Sequence, residues 1–274
     1  MATITTQYQT FLLDVSDKIA HVRFNRPEKA NSLAQQGWDE LEAIFTELDQ
    51  RSDVRVIILS GEGKNFCAGI DLSMFSSLQD FHSSDEGRKR EHIRESAKRL
   101  QAPINAIENC RKPVLAAIQR ACVGGGVDII SACDMRYCTE DAFFSIEEIN
   151  IGMVADLGTL QRLPRLIGEG ITRELAYTGR RMSGEEAYRR HLVNQVFEDK
   201  ESMMTTVLEI AEQIASKSPL SIRGTKQVLN YSRDHSVADG LEYIATWNAG
   251  MFMSDDLTEA ITAKMTGRDP QFED

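Results

Sequence analysis

The chain begins with two short stretches in which apolar and polar residues alternate. Residues 10–15 and 19–24 both show the two-residue period of a β-strand, and the polar residues between them predict a turn. From Gln35 to Leu48 apolar residues recur at helical spacing. A mostly apolar run at 54–59, flanked by turn residues, predicts a buried strand. The pattern therefore alternates strands with a helix.

The rest of the chain continues this alternation and then becomes helical. Residues 72–90 are rich in Ser, Asp and charge without a period, which predicts a mobile loop, and a long helix is expected from there to about Cys110. Further strands are expected at 112–118, 135–138 and 142–146, with a helix opening at three consecutive glycines. Beyond residue 155 the pattern is mostly helical. We therefore predict an α/β fold with a helical extension.

Composition and charge limit which partners the protein can bind and in which compartment we expect it. The 274 residues include 31 Lys and Arg against 42 Asp and Glu, a net charge of −11, which argues against nucleic-acid binding. No apolar window is long enough to span a membrane. Neither a secretory signal nor a peroxisomal Ser-Lys-Leu ending is visible. These observations lead us to expect a cytoplasmic protein of the bacterial type.

The cysteines and histidines do not form a metal-binding pattern. The five cysteines are odd in number and none are spaced as C-x-x-C, which fits neither a disulfide framework nor a zinc site. No two of the five histidines have the spacing of metal ligands on one helix face. The sequence predicts no metal site.

Two stretches of small residues could bind a ligand through the main chain. One is Asn65 to Leu72, just after the buried strand, and the other is Val123 to Asp128, which contains Gly124-Gly125-Gly126. Without side chains in the way, backbone N–H groups in such a turn can approach a ligand and form an oxyanion hole. A tight turn packed against a neighbouring helix explains the same glycines equally well.

Two acidic residues downstream of the glycines have unusual neighbours. Asp128 and Asp156 are each surrounded in the sequence by apolar or small residues, whereas most acids lie on solvated surface. Burial in such surroundings raises the pKa of a carboxyl group. A raised pKa suits general acid–base catalysis near neutral pH.

Several of these segments together, in order and spacing, resemble the crotonase, or enoyl-CoA hydratase/isomerase, superfamily over nearly the whole chain. The segments are Asn25-Arg26-Pro27, Phe66 to Leu72, Lys112 to Ala117, Gly124 to Gly126, Gly158 to Pro164 and Lys217-Ser218-Pro219. The resemblance implies a spiral of β-β-α units with a C-terminal helical trimerisation region, in trimers or dimers of trimers. It places the acyl-CoA-binding catalytic core at 1–200 and the helical oligomerisation region at 201–274.

The resemblance also implies how substrate is bound. The family binds acyl-CoA thioesters and stabilises an enolate with two backbone N–H groups, which by motif position are those of Ile70 and Gly125. No separate cofactor is implied, since coenzyme A is part of the substrate. The remaining residues implied in substrate binding are Ala68, Gly69, Asp71 and Gly124 in the two loops, and Arg26 and Lys29 as cations for the CoA phosphates.

Within the superfamily the acids select the reaction. The combination of Asp128, Glu148 and Asp156 is similar to that of the isomerases that convert 3,5-dienoyl-CoA to 2,4-dienoyl-CoA in fatty acid β-oxidation. In this hypothesis Glu148 removes a proton at C2, Asp156 delivers one at C6, and Asp128 is a polar partner in the pocket.

Two other functions remain open at this point. A trans-2-enoyl-CoA hydratase would use Asp128 and Glu148 to activate water, but would leave Asp156 without a task. A non-catalytic acyl-CoA-binding or RNA-associated member of the fold is the second alternative. The net charge disfavours the RNA version, and the intact glycines and acids disfavour the loss of catalysis.

Overall fold

A computed structural model describes residues 4–74 and 85–274 as two sheets surrounded by helices. A seven-stranded sheet has the order β1-β2-β3-β4-β5-β7-β10, and a three-stranded sheet has the order β6-β8-β9. The strands are β1 Ile4–Gln7, β2 Phe11–Ser16, β3 Ile19–Phe24, β4 Val56–Gly61, β5 Val114–Ile118, β6 Ala121–Val123, β7 Met135–Thr139, β8 Phe143–Ser145, β9 Met182–Ser183 and β10 Gln195–Phe197.

Helices follow the strands and then dominate the end of the chain. They are α1 Gln35–Gln50, α2 Glu86–Asn109, α3 Gly125–Ser131, α4 Thr159–Ile167, α5 Glu169–Thr178, α6 Gly184–Arg189, α7 Lys200–Ala215, α8 Pro219–Asp234, α9 Val237–Met251 and α10 Asp255–Thr266. Two 3₁₀ helices, Pro27–Lys29 and Glu148–Ile151, lie near the glycine-containing loops. The predicted α/β class is confirmed.

The large sheet is buried on both faces, which explains why its central strands are apolar without interruption. All residues of β4 are buried. Its Ile57 and Leu59 pack in the core that includes α1, whereas Val56 and Ile58 pack against Met203 and other apolar residues of α7. The parallel pairing of β3, β4, β5, β7 and β10 requires such two-sided cover.

An ion pair between a buried lysine and a partly exposed aspartate joins α8 to the core. The ammonium of Lys226 lies 2.8 Å from the Asp134 carboxylate and 3.0 Å from the carbonyl oxygen of Lys112. Lys226 is 6% exposed. Asp134 also accepts a hydrogen bond from the amide of Val114 at the start of β5, so one carboxylate connects α8 to the central sheet.

The structure differs from the predicted elements in several places. The loop expected at 72–90 ends earlier, because Asp85 caps α2 through a bond to the Arg88 amide. Residues 75–84 of that loop lie outside the described residues. Strands β1, β6 and β9 were not predicted, since β1 is polar, β6 has three residues and β9 has two. Strand β10 interrupts the region expected to be mostly helical. The division of the chain at residue 200 stays a prediction.

Candidate active site

The two segments of small residues predicted to bind a ligand lie side by side. Cys67 forms a β-bridge to Cys122, and the amide of Cys67 donates to the carbonyl of Ala121, just before the glycine turn. A second bridge joins Ile70 to Leu33, whose amide bonds the carbonyl of Gly69. The loop at 67–71 is thus held from both sides, between the start of α1 and the start of α3.

Two glycines at this junction could not be replaced without moving the backbone. Gly69 has φ +84°, and a Cβ there would lie 2.6 Å from the carbonyl oxygen of Val123 and 3.1 Å from the amide nitrogen of Gly125. Gly124 has φ +51° with ψ −119°, a conformation open to glycine only. The close packing of the two loops therefore depends on missing side chains.

Two amides at the junction point to no protein acceptor. In the part of the chain that the structure describes, neither the N–H of Ile70 nor that of Gly125 forms a hydrogen bond, whereas the amides of Ala68 and Asp71 do. Gly125 lies against Gly69, since a Cβ on Gly125 would be 3.7 Å from the Gly69 Cα. The arrangement can present two N–H donors to one oxygen atom.

Asp128 lies beneath the glycine turn, on α3, and is completely buried. Its Oδ1 accepts a hydrogen bond of 2.7 Å from the amide of Thr159, the first residue of α4, while Oδ2 has no partner among the described residues. Burial raises the pKa of the Asp128 carboxyl to about 6 from an ordinary 3.8, and repulsion from Asp156 adds to the rise.

We expect Asp128→Asn to stabilise the protein at alkaline pH. The amide keeps the bond from Thr159 but carries no buried charge. Above pH 6 the ionised carboxyl lowers the free energy of unfolding, by up to about 3 kcal/mol for this shift, and below the unfolded pKa the penalty vanishes. Urea unfolding near pH 8 and near pH 4 measures the difference. An equal gain at both pH values would contradict the prediction, and Asp255→Asn, on exposed surface, is the control.

Glu148 borders the glycine turn at the start of a 3₁₀ helix. Its Oε1 lies 3.1 Å from the position that a Cβ on Gly124 would take. Burial, followed by the neighbouring Asp128, raises the pKa of the Glu148 carboxyl to about 7. A carboxylate with this pKa, beside the two free amides, can act as a general base at neutral pH.

Asp156 lies in the segment before α4, and its charge raises the pKa of both Asp128 and Glu148. Its main-chain oxygen accepts a 2.7 Å hydrogen bond from the side chain of Gln101 on α2, which fixes the segment. The side chain itself is exposed. Partial loss of solvent raises the pKa of the Asp156 carboxyl above its ordinary value.

A polar cavity of about 440 Å³ adjoins Asp156 between α2, α4 and α8. In the described part of the chain its wall includes Asp156 but not Glu148. Ion pairs lie along the wall of this cavity, among them Arg162 with Glu108 at 2.7 Å and Arg233 with Asp234 at 2.9 Å. The lining residues are Gln101, Asn105, Glu108, Ser131, Asp156, Leu157, Gly158, Gln161, Arg162, Arg165, Leu166, Arg233 and Asp234.

The two cations predicted to bind CoA phosphates have different surroundings. Arg26 donates to the carbonyl of Ser32 at 2.8 Å and to the Asp71 carboxylate at 3.2 Å, so it braces the loop that carries Ile70. Lys29 ends the first 3₁₀ helix and is exposed. Arg26 thus stabilises the binding loop from within, whereas Lys29 can reach a ligand in solvent.

Three positions at the site were not identified from the sequence. Thr159 acts through its backbone amide, Gln101 through a bond to a main-chain oxygen, and Trp38 through its indole edge, which a Cβ on Gly125 would meet at 3.0 Å. Trp38 is 1% exposed. One sequence signal could have indicated Thr159: the free amides at the start of a helix are suitable partners for a buried carboxylate such as that of Asp128.

Other chemistry is not evident among residues 4–74 and 85–274. These residues contain no group of three or more His, Cys, Asp or Glu side chains that could hold a metal ion. All five cysteines are free and buried, and burial raises the pKa of the Cys67 thiol to about 12, which makes it a poor nucleophile. None of the helices described is long and apolar enough to cross a membrane.

Known proteins are similar to this chain in sequence and fold. A family model described as Enoyl-CoA hydratase/isomerase matches residues 14–274. The Arabidopsis thaliana protein named Delta(3,5)-Delta(2,4)-dienoyl-CoA isomerase, peroxisomal, is 52% identical over 261 residues, 94% of either chain. The Homo sapiens mitochondrial protein of that name is 44% identical over 247 residues, 89% of this chain and 75% of its own. The crystal structure of an enoyl-CoA hydratase from Bacillus anthracis superimposes with TM-score 0.85 and 31% identity, covering 100% of this chain and 99% of that one.

These relatives correct one expectation from the sequence. The predicted bacterial-type cytoplasmic location is wrong, because the similar proteins from Arabidopsis thaliana and Homo sapiens are named as peroxisomal and mitochondrial. The prediction rested only on signals that were not found, and such an absence carries little weight.

Proposed function

Because the chain belongs to the enoyl-CoA hydratase/isomerase family and has the crotonase fold, we propose that it converts 3,5-dienoyl-CoA to 2,4-dienoyl-CoA in fatty acid β-oxidation. Relatives at 44–52% identity bear the name of this isomerase. The chain is thus an isomerase acting on an acyl-CoA thioester.

The observation that carries this proposal is that the two outer acids have different surroundings. Glu148 borders the glycine turn with its free amides, while Asp156 lines a cavity whose described wall does not include Glu148. An acid beside the oxyanion donors serves the carbon next to the thioester carbonyl, which is C2. An acid further away serves a remote carbon, as a proton shift to C6 requires.

The reaction then proceeds by enolisation. The carbonyl oxygen of the thioester accepts hydrogen bonds from the N–H groups of Ile70 and Gly125, which stabilises negative charge on that oxygen. Glu148 removes a proton from C2, and the charge spreads along the conjugated chain. Asp156 donates a proton to C6. Asp128 is a buried polar partner whose charge raises the pKa of the Glu148 carboxyl.

The same loops provide the proposed binding site for the thioester. Ala68, Gly69 and Gly124 line the approach to the amides, and Asp71 keeps Arg26 in place. Lys29 is the exposed cation for the CoA phosphates. Since coenzyme A arrives with the substrate, the proposed reaction needs no separate cofactor.

Ultraviolet absorbance distinguishes this activity from hydration. With a 3,5-dienoyl-CoA we expect absorbance to rise at long wavelength, because the product diene is conjugated with the thioester. With a trans-2-enoyl-CoA we expect little change, whereas a hydratase would lower the absorbance. A rapid fall with the enoyl ester and no change with the diene would replace the isomerase with a hydratase. Tight binding of both esters without turnover would indicate a non-catalytic binding protein.

We expect kcat/KM to rise with pH through about 7. Glu148 must be ionised to accept the C2 proton, and the pKa of its carboxyl is raised to about 7, so its ionisation increases activity through that pH. Asp156 must be protonated to donate to C6, so activity should fall again at more alkaline pH. Initial rates between about pH 5 and 9 measure the profile. The residual activity of Glu148→Gln should lack this rise with pH. An unchanged pH profile in that variant would show that another group is the base.

We also propose that residues 201–274 join subunits into trimers or dimers of trimers. Large apolar side chains on α8, α9 and the segment after them are exposed, a surface that usually contacts another chain. Light scattering of the purified protein measures the mass, and a monomer would exclude this assembly. The exposed apolar side chains that support this proposed interface include Leu229, Val237, Leu241, Phe252 and Met253.

A further inference from the structure

The proposed isomerisation leaves the two outer acids in the wrong protonation states after each turnover. Glu148 has gained the proton from C2, and Asp156 has lost one to C6. Before the next substrate reacts, Glu148 must lose a proton and Asp156 must gain one. The proton can pass internally through Asp128, or Glu148 can release it to solvent while Asp156 takes another from solvent.

The described residues offer no hydrogen-bonded route through Asp128. One oxygen of its carboxylate is occupied by the Thr159 amide, and the other has no partner in the described chain. No hydrogen bond among these residues joins Asp128 to Glu148 or to Asp156. The side chain is completely buried, so water does not reach it from the surface.

Asp156, in contrast, faces a cavity whose walls suit water. Neutral polar side chains such as those of Asn105 and Gln161 line it, and its guanidinium groups are already balanced by carboxylates, as in the Arg162–Glu108 pair. A space of about 440 Å³ with this many polar groups favours ordered water over an apolar chain or a free anion.

We propose that Asp156 is reprotonated by water in the polar cavity between α2, α4 and α8, which makes this cavity the proton entry route of the catalytic cycle. The O–H bond of a cavity water or hydronium breaks as the Asp156 O–H bond forms. Glu148 releases its proton to solvent on the side of the glycine turn, so no proton is gained or lost overall. The inference rests on the proposed isomerase activity.

Isotope labelling tests the origin of the C6 proton. The substrate is a 3,5-dienoyl-CoA with deuterium at both C2 positions, converted in ordinary water over many turnovers and examined by nuclear magnetic resonance. We expect protium at C6 of the product, because the proton comes from solvent. Deuterium at C6 would show internal return and overturn the proposal. Failure to form any 2,4-dienoyl-CoA would instead contradict the proposed function.

A variant that fills the cavity tests the route. Gln161 lines the cavity on α4, is exposed and forms no side-chain hydrogen bond in the described chain, so Gln161→Trp adds bulk without breaking an ion pair. We expect kcat to fall about tenfold with KM changed less than about twofold. The matched control is Gln213→Trp, on the exposed face of α7, which should leave both constants unchanged.

Two kinetic results would overturn the route. An unchanged kcat in Gln161→Trp would show that protons reach Asp156 without the cavity. A KM that rises with acyl-chain length in the same variant would show that the cavity holds the acyl tail. Circular dichroism of both tryptophan variants establishes that the fold is retained.

Discussion

Asp156→Asn should abolish isomerisation and leave thioester binding almost intact. The amide has nearly the same shape as the carboxyl group but cannot donate an acidic proton to C6. Loss of a general acid typically lowers kcat about 10²–10⁴-fold. The main-chain oxygen of residue 156 would still accept the bond from Gln101, so the segment should keep its position.

The test compares turnover with binding. Stopped-flow absorbance with a 3,5-dienoyl-CoA gives kcat, and calorimetry with a saturated acyl-CoA gives Kd, which we expect to change less than about threefold. Asp255→Asn, on the exposed first turn of α10, is the control for loss of one negative charge. Normal turnover in Asp156→Asn would show that this residue is not the acid.

Gly125→Ala should lower kcat by about 10²-fold or more, the usual cost of losing one oxyanion-hole donor. The new methyl group would lie 3.0 Å from the ring of Trp38, tighter than normal contact. Because Trp38 is buried and cannot retreat, the start of α3 must shift and move the Gly125 N–H. The expected loss is in kcat more than in KM, since the donor acts on charge that develops in the transition state.

A second substitution can show whether Gly125→Ala lowers kcat by moving the Gly125 amide or by disturbing the fold. Trp38→Phe removes the indole edge, so the double variant Trp38→Phe with Gly125→Ala should recover part of the lost kcat. Gly170→Ala is the control, because a Cβ at Gly170 meets nothing within 4 Å. Equal kcat for Gly125→Ala and the native protein would contradict the proposed donor.

The elements of the sheet could be predicted where the hydrophobic pattern was strong. Strand β4 and helix α1 follow from their apolar spacing, because packing on the core imposes that spacing. The start of α2 at Glu86 was missed, since its first turns are charged and exposed and carry no hydrophobic pattern. Local sequence predicts an element only where that element packs against something.

The burial of Asp128 was predicted better than the contacts around it. Asp128 could be identified from apolar neighbours in the sequence, and its complete burial agrees with that reasoning. The bond from Thr159 joins residues 31 positions apart through a backbone amide, which no side-chain pattern reveals. Asp128 is buried and Asp156 is exposed, although both have apolar or small neighbours in the sequence, so the local sequence does not predict this difference.

The Lys226–Asp134 pair has a consequence for how the molecule comes apart. If α8 detached while the remainder stayed folded, Asp134 would keep a carboxylate next to β5 without its cation. Because Lys226 is buried and the Asp134 side chain is 26% exposed, losing the pair costs between the ~1 kcal/mol of a surface pair and the ~3–5 kcal/mol of a buried one. Partial unfolding that releases only α8 is therefore penalised, and amide hydrogens of α8 should exchange with solvent almost as slowly as those of β5.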